Sequence, residues 1–121
     1  MALLRNFYQG DTQDLVFLLR DETQSPISVA GAALVLTIKS KGDDSENDEA
    51  AVIKKEQMGV ETDTENPTGE ILLSLEHDDT LKPPGKYKYD LKLIRFINGI
   101  KKVTTLDSDV VEIYESVTKE V

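Results

Sequence analysis

The feature of the sequence that most constrains the fold is an alternation of apolar and polar residues with a period of two. The alternation is cleanest in residues 86–93 (KYKYDLKL), and residues 15–20, 34–39 and 70–76 repeat it. Successive side chains of a β-strand point to opposite faces, so each such segment places one face in a core and the other towards water or a partner. Several strands of this kind at short spacing predict an all-β domain, either a sandwich or a barrel.

The inward faces of these segments supply the expected core. We predict that ten residues are buried together: Leu15, Phe17, Leu19, Leu36, Ile38, Ile71, Leu73, Tyr89, Leu91 and Leu93. A chain of 121 residues fits one such core and leaves no room for a second. The sequence contains no cysteine, so disulfides, thiol catalysis and cysteine-ligated metals are excluded, and stability must come from burial and backbone pairing.

The dipeptide Asn98-Gly99 is the strongest turn signal. Both residue types tolerate a positive φ, and between apolar-rich runs they favour a two-residue hairpin turn of type I′. Such a turn fixes the register of the flanking strands, with these facing pairs: Ile97 and Ile100, Ile94 and Val103, Leu93 and Thr104, and Leu91 and Leu106. Because the tyrosine and leucine side chains of 86–93 face the core, Thr104 and Leu106 are expected to point inward as well.

The same register places Ile94, Phe96 and Val103 together on the opposite face. A second apolar face at the end of one hairpin is more than solubility requires, and it predicts a protein interface made of these three residues. The alternative is that the facing sheet, or the segment 1–8, covers them.

The charge balance excludes several classes of partner. The chain has 14 basic and 23 acidic residues, a formal net charge of −9. Nucleic-acid affinity comes largely from clustered Lys and Arg, so this surface is expected to repel nucleic acid and anionic lipid. No apolar run approaches the roughly 18–20 residues of a membrane-spanning helix, and the first residues lack the pattern of a signal peptide. We expect a product of the cytoplasm that binds neither nucleic acid nor membrane.

The acidic segment 42–51 (GDDSENDEAA) is the candidate cation site. A calcium loop of the EF-hand type needs oxygen ligands at fixed spacing, a mid-loop glycine and a terminal bidentate glutamate. No glycine follows Asp44 within the segment, which ends in two alanines. We therefore predict a solvated polar loop without a bound metal.

No catalytic residue and no cofactor are predicted. His77, the only histidine, precedes Asp78 and Asp79, and a histidine beside carboxylates can act as a base or a metal ligand. One imidazole without a second His or a Cys makes a poor metal site, so we expect His77 to be a surface residue at a strand end. The sequence has neither a G-x-S-x-G motif nor a glycine-rich phosphate loop, and we expect a protein that is not an enzyme.

Short turn motifs follow one another in a distinctive order. They are Gly10-Asp11-Thr12, Asp21-Glu22, Pro26-Ile27, Val29-Ala30-Gly31-Ala32, Gly69-Glu70-Ile71, Asp79-Thr80-Leu81 and PGKYKYD at 84–90. This order resembles a family of bacteriophage virion proteins with an immunoglobulin-like sandwich, which includes the N-terminal domain of baseplate upper proteins. The resemblance runs from Gly10 to about Ile113, and 84–90 is its most specific part. In place of the family's glycine before the first proline stands Gln24 or Ser25, and Val29-Ala30-Gly31 replaces its Leu-Thr-Gly.

The resemblance implies an immunoglobulin-like antiparallel β-sandwich of about seven to eight strands over residues 9–113. Residues 1–8 and 114–121 would be arms that order on neighbouring subunits. The resemblance also implies a non-enzymatic structural protein, made in the host cytoplasm and incorporated into the virion. There it would serve as a docking module of the tail, baseplate or neck that binds other virion proteins, in many copies or as a homo-oligomer.

Baseplate upper proteins continue into a receptor-carrying part, whereas this chain stops, so a docking module without a receptor-binding head is expected. Two alternatives stay open. One is a capsid decoration (cement) protein, and the other is a host-surface or carbohydrate-binding module. The second would need an exposed aromatic platform, and the candidate pair, Tyr87 and Tyr89, is assigned to the core.

Overall fold

The computed structural model describes residues 4–42, 51–60 and 65–118. Within these ranges the backbone forms seven β-strands and one helical turn. In chain order they are β1 (Phe7–Tyr8), β2 (Gln13–Leu18), β3 (Ala33–Ser40), β4 (Ile53–Met58), β5 (Glu70–Leu75), α1 (His77–Thr80), β6 (Gly85–Ile97) and β7 (Ile100–Tyr114). The prediction of an all-β fold is confirmed.

The strands form two sheets. The larger sheet has five strands in the order β1-β7-β6-β3-β4, and the smaller one consists of β2 and β5. All neighbouring strands are antiparallel except β1, which pairs in parallel with the end of β7. The expectation of a purely antiparallel arrangement is therefore wrong at this edge, where the chain enters the sheet alongside its own last strand.

The core lies on the inner face of the larger sheet. Leu34, Leu36 and Ile38 of β3 are fully buried against the odd-numbered residues of β6. All of the predicted core residues are buried except Phe17, which is half-buried on β2. Among the described residues the smaller sheet has two strands, so no further strand lies on the far side of β2 to cover this ring.

The predicted hairpin turn is confirmed. Asn98 and Gly99 both have positive φ, 53° and 78°, and Ile94 faces Val103 as expected. The register holds as far as the pair Lys92 and Thr105 and then shifts at a β-bulge.

At the bulge, Leu91 faces Asp107 instead of Leu106, so the predicted pairing is wrong by one residue. The extra residue, Leu106, is half-buried and packs against the core. Before the bulge the even-numbered residues of β7 face inward, and after it the odd-numbered residues do. Val111 and Ile113 therefore point inward, where both are fully buried. An uninterrupted register would have turned these two side chains outward.

The expectation that Thr104 points into the core is also wrong, since Thr104 is exposed. Strand β3 begins at Ala33, whose partner on β6 is Ile94. Beyond that pair, the described residues place no further strand beside β6, and the end of the hairpin extends past the sheet. We refer to residues 95–104 as the hairpin tip; they comprise this protruding end and the two residues of β7, Val103 and Thr104, that face Ile94 and Leu93.

The described part of the predicted N-terminal arm contacts the chain's own core. Leu4 and Phe7 are buried, and Phe7 and Tyr8 form β1. At the other end, β7 extends to Tyr114, whose ring lies 5.2 Å from that of Tyr8.

An ion pair connects α1 with the larger sheet. Lys55 Nζ on β4 lies 2.9 Å from Asp79 Oδ2, and the same carboxylate accepts the N–H of Glu76 at 2.8 Å. Burial acts to raise the pKa of Asp79, but these two donors outweigh it and hold the pKa below its usual value. The carboxylate in turn raises the pKa of Lys55.

We predict that Asp79→Asn lowers the thermal midpoint by a few degrees near pH 7, and that the difference disappears in acid. A carboxyl whose folded pKa is depressed stabilises the fold above its unfolded pKa of about 3.9, and the contribution is lost as the pH falls through the folded value. Circular dichroism melts at about pH 7 and about pH 2.5 test this. Asp78→Asn, which removes the neighbouring exposed charge, is the control, and an equal effect of both variants would contradict the prediction.

We also predict that Gly69→Ala destabilises the fold much more than Gly99→Ala. Both glycines have positive φ, which costs a residue with a Cβ about 1–2 kcal/mol. A Cβ at Gly69 would in addition lie 2.4 Å from the carbonyl oxygen of Leu19, whereas at Gly99 it would meet nothing within 4 Å. Urea denaturation should give losses of about 3 kcal/mol or more and about 1 kcal/mol respectively. Equal losses would mean that the contact with Leu19 is absent.

Candidate protein interface

The residues considered as chemical candidates make structural contacts. His77 Nδ1 lies 2.7 Å from the carbonyl oxygen of Gly10, so the half-buried ring fastens the turn before β2 to α1. Thr80, fully buried, donates its hydroxyl to the carbonyl oxygen of Asp11 at 2.7 Å. No group of three or more His, Asp or Glu in the described ranges could hold a metal ion. The acidic residues of segment 42–51, Asp43 to Glu49, lie outside the described residues.

The tyrosine pair of β6 lies in the core. Tyr87 and Tyr89 are both buried. The Tyr89 hydroxyl donates to Asp107 Oδ2 at 2.6 Å, and burial followed by this bond raises the pKa of Tyr89. Neither ring is available for stacking on a sugar.

The structure brings the three predicted interface residues together on the outer face of the larger sheet. Ile94 is half-buried and faces Val103 across the hairpin, and Phe96 is the next outward residue on β6. Phe96 is 62% exposed and Val103 is 50% exposed. Over the described ranges, neither the smaller sheet nor residues 4–8 cover these two side chains.

An apolar row crosses the larger sheet at this level. Met58 of β4 faces Ala33 of β3, Ala33 faces Ile94, and Ile94 faces Val103. Sequence reasoning missed Met58, because residues 53–58 (IKKEQM) show little alternation and the pairing of β4 depends on a long-range contact. We call these four residues and Phe96 the apolar row.

The hairpin tip exposes apolar side chains on its other face as well. Ile97 and Ile100 face each other there, and Ile100 is 58% exposed. The tip also carries Arg95, Lys101 and Lys102 and contains no acidic residue, although the chain has a net charge of −9. It therefore combines exposed apolar side chains with a positive charge on a chain that is acidic overall.

On the side of the apolar row that lies away from the hairpin tip, the outer face of the larger sheet becomes polar. An open groove of about 590 Å³ runs along it, and its lining includes Lys54, Lys92, Glu56 and Asp90. Lys92 Nζ donates to Thr105 Oγ1 at 3.0 Å. Exposed apolar area on this face is thus concentrated at the end that carries the hairpin tip.

The smaller sheet has an exposed apolar face that the sequence reasoning did not identify. Val16 of β2 faces Leu72 of β5, and Leu18 lies beside them on the same outward side. Both strands carry apolar residues at inward and outward positions, so their alternation does not tell which face is buried.

No family model matches the sequence, and no curated protein matches it. Within the described residues, no helix is long and apolar enough to cross a membrane.

We predict that Phe96→Ser leaves the stability of the isolated domain nearly unchanged, whereas Ile94→Ser lowers it. Phe96 is mostly exposed and loses little on truncation, within about 0.5 kcal/mol, while half-buried Ile94 packs between Ala33 and Val103 and should cost about 1–2 kcal/mol. Urea denaturation measures both values. A large loss for Phe96→Ser would show that this side chain belongs to the fold and not to an interface.

Proposed function

We propose that the chain is a non-enzymatic structural protein of a bacteriophage virion, a docking module of the tail, baseplate or neck that binds other virion subunits. The observation that carries the docking role is the hairpin tip, which extends past the sheet and exposes Phe96, Ile97, Ile100 and Val103. The phage assignment rests on the order of turn motifs from Gly10 to Ile113.

The fold assigned to that family is an immunoglobulin-like sandwich, and the strand order supports it. In immunoglobulin domains, strands G, F and C share one sheet and strands B and E lie in the other. Here β7, β6 and β3 are neighbours in the larger sheet, and β2 pairs with β5 in the smaller one. Matching β2, β3, β5, β6 and β7 to B, C, E, F and G reproduces that arrangement in chain order.

A local contact supports the same fold. Many immunoglobulin-like domains have a tyrosine near the start of strand F whose hydroxyl bonds to the backbone a few residues upstream. Tyr87, the third residue of β6, donates its hydroxyl to the carbonyl oxygen of Pro83. Both residues lie in or next to 84–90, the part of the sequence with the most specific resemblance to the phage family.

The chemistry of the hairpin tip indicates the kind of surface that it would contact. Exposed aromatic and aliphatic side chains gain about 25 cal/mol per Å² of apolar surface that a partner removes from water. Arg95, Lys101 and Lys102 add positive charge around them. A partner with a shallow apolar pocket rimmed by carboxylates fits this combination, since charge complementarity guides docking and sets orientation.

The described polar interior supports a structural role. Gln13 exchanges two hydrogen bonds with the backbone of Arg5, at 2.8 and 3.2 Å, and thereby holds the segment before β1 against β2. Thr80 bonds to the turn before β2 in a comparable way. These buried groups fasten segments to one another and do not line a cleft.

The proposal is tested by particle incorporation. A phage from which this gene has been deleted is supplied in trans with the unmodified chain or with one of two double variants. The test variant is Phe96→Ser/Ile100→Ser, and the matched control, on the smaller sheet, is Val16→Ser/Leu72→Ser. Purified particles are assayed for the chain by quantitative mass spectrometry, and each variant is checked for folding by circular dichroism. We expect the hairpin variant to fold but to enter particles at least about tenfold less than the control, since burial of one large apolar side chain is worth about 1.5–3 kcal/mol.

Two outcomes would contradict the proposal in different ways. Particles that never contain the unmodified chain would refute the virion assignment. Normal incorporation of Phe96→Ser/Ile100→Ser would show that docking does not use the hairpin tip.

A further inference from the structure

In the part of the chain that the structure describes, the outer edge of β7 is for the most part not covered by another strand. Strand β1 pairs only with Ile113 and Tyr114, at the end of β7. For residues 100–112, the described part of the chain provides no neighbouring strand on that side. An edge of this length presents a row of backbone N–H and C=O groups that could pair with another strand.

The chain itself satisfies the N–H groups on one half of this edge. The N–H of Ser108 donates to Asp107 Oδ1 at 3.0 Å, and that of Val110 donates to Asp109 Oδ1 at 2.8 Å. The N–H of Glu112 donates to Asn6 Oδ1 at 2.9 Å. Side-chain oxygens thus occupy three consecutive outward N–H groups, and we call residues 107–112 the guarded edge.

The other half of the edge has no such acceptors. Residues flanking a two-residue turn form a hydrogen-bonded pair, so Ile97 and Ile100 bond to each other and alternate residues of β7 point their backbone groups outward. These are Lys101, Val103 and Thr105. No acceptor among the described residues bonds to their N–H groups. We call residues 101–105 the open edge.

We propose that the open edge pairs with the open edge of a second copy of this chain, antiparallel, about a two-fold axis at Val103. Each Val103 then faces the Val103 of the other copy, and each Lys101 faces the Thr105 of the other copy. Three facing pairs that exchange two hydrogen bonds each give about six bonds across the axis. The two five-stranded sheets become one continuous sheet, an isologous contact in which both copies use the same surface.

The apolar side chains agree with this arrangement on both faces of the sheet. On the outer face, the apolar row of one copy ends at Val103 and continues directly into the row of the other, which covers a side chain that is 50% exposed. On the inner face, Ile100 comes opposite Leu106 of the second copy. Such cross-strand apolar pairs are the contacts that stabilise sheets.

The charges favour the antiparallel direction. In an antiparallel pair, Lys102 lies on the inner face of the sheet, towards the acidic half of the other strand, where Asp107 and Asp109 point to the same face. A parallel pairing in register would place the lysines of both copies side by side and the aspartates side by side, which is repulsive. The distribution of basic residues before the bulge and acidic residues after it is therefore self-complementary.

This pairing goes beyond the proposed function, because it needs no virion protein and can be tested on the purified chain alone. Sedimentation velocity from about 1 µM to about 1 mM should show a reversible monomer–dimer equilibrium. Val103→Pro removes one outward N–H of the open edge, a position where proline is tolerated on an edge strand. Val110→Pro does the same on the guarded edge and is the matched control. We expect Val103→Pro to raise the dissociation constant at least about tenfold and Val110→Pro to leave it unchanged.

A second measurement fixes the register and does not depend on the proline variant folding. The natural chain contains no cysteine, so Val103→Cys introduces a single thiol that lies next to its counterpart across the axis. A short bismaleimide should link two Val103→Cys chains rapidly and two Val110→Cys chains slowly. A chain that stays monomeric at the highest concentration, or equal crosslinking of the two variants, overturns the proposal. Particle incorporation through the hairpin tip could still hold in either case.

Discussion

The pairing of β3 with β6 is the interaction on which the other features of this fold depend. Three of its inward pairs are completely or almost completely buried: Leu34 with Leu93, Leu36 with Leu91, and Ile38 with Tyr89. Because these pairs commit the odd-numbered residues of β6 to the core, its even-numbered residues must face outward, and Ile94 and Phe96 are among them. The two strands differ in length, with 8 residues in β3 and 13 in β6, so the end of the β6–β7 hairpin extends beyond its support.

Local sequence signals predicted the fold wherever one face of a strand is buried and a turn sets the register. Asn98-Gly99 correctly placed Ile94 opposite Val103, and the alternation in 86–93 identified the core face. The bulge at Leu106 was missed because the register was extended uniformly along β7. A signal for it was present: Val111 and Ile113 are apolar at odd positions, whereas the turn assigns inward positions to even residues such as Thr104. When the inward residues of one strand change from even-numbered to odd-numbered positions, the strand must contain an inserted residue.

The candidate site could be predicted only in part. Ile94, Phe96 and Val103 follow from one hairpin, which is a contact between residues close in sequence. Met58 and Ala33 join them through the pairing of β4 with β3 and of β3 with β6, and no local pattern in 53–58 specifies those registers. The exposed face formed by Val16 and Leu72 was missed for a different reason, since apolar residues on both faces of a strand remove the distinction on which the alternation argument depends.

The two halves of the β7 edge show how one strand can both resist and permit pairing. An aspartate placed directly before an outward-pointing residue can accept that residue's N–H and so remove it from competition with another strand, as Asp107 and Asp109 do. On the other half, no described residue accepts the outward N–H groups, and the lysines there oppose a second strand only if it brings like charge. A strand that is basic before its bulge and acidic after it therefore discriminates between directions of approach, because a parallel pairing in register brings like charges side by side and the antiparallel pairing does not.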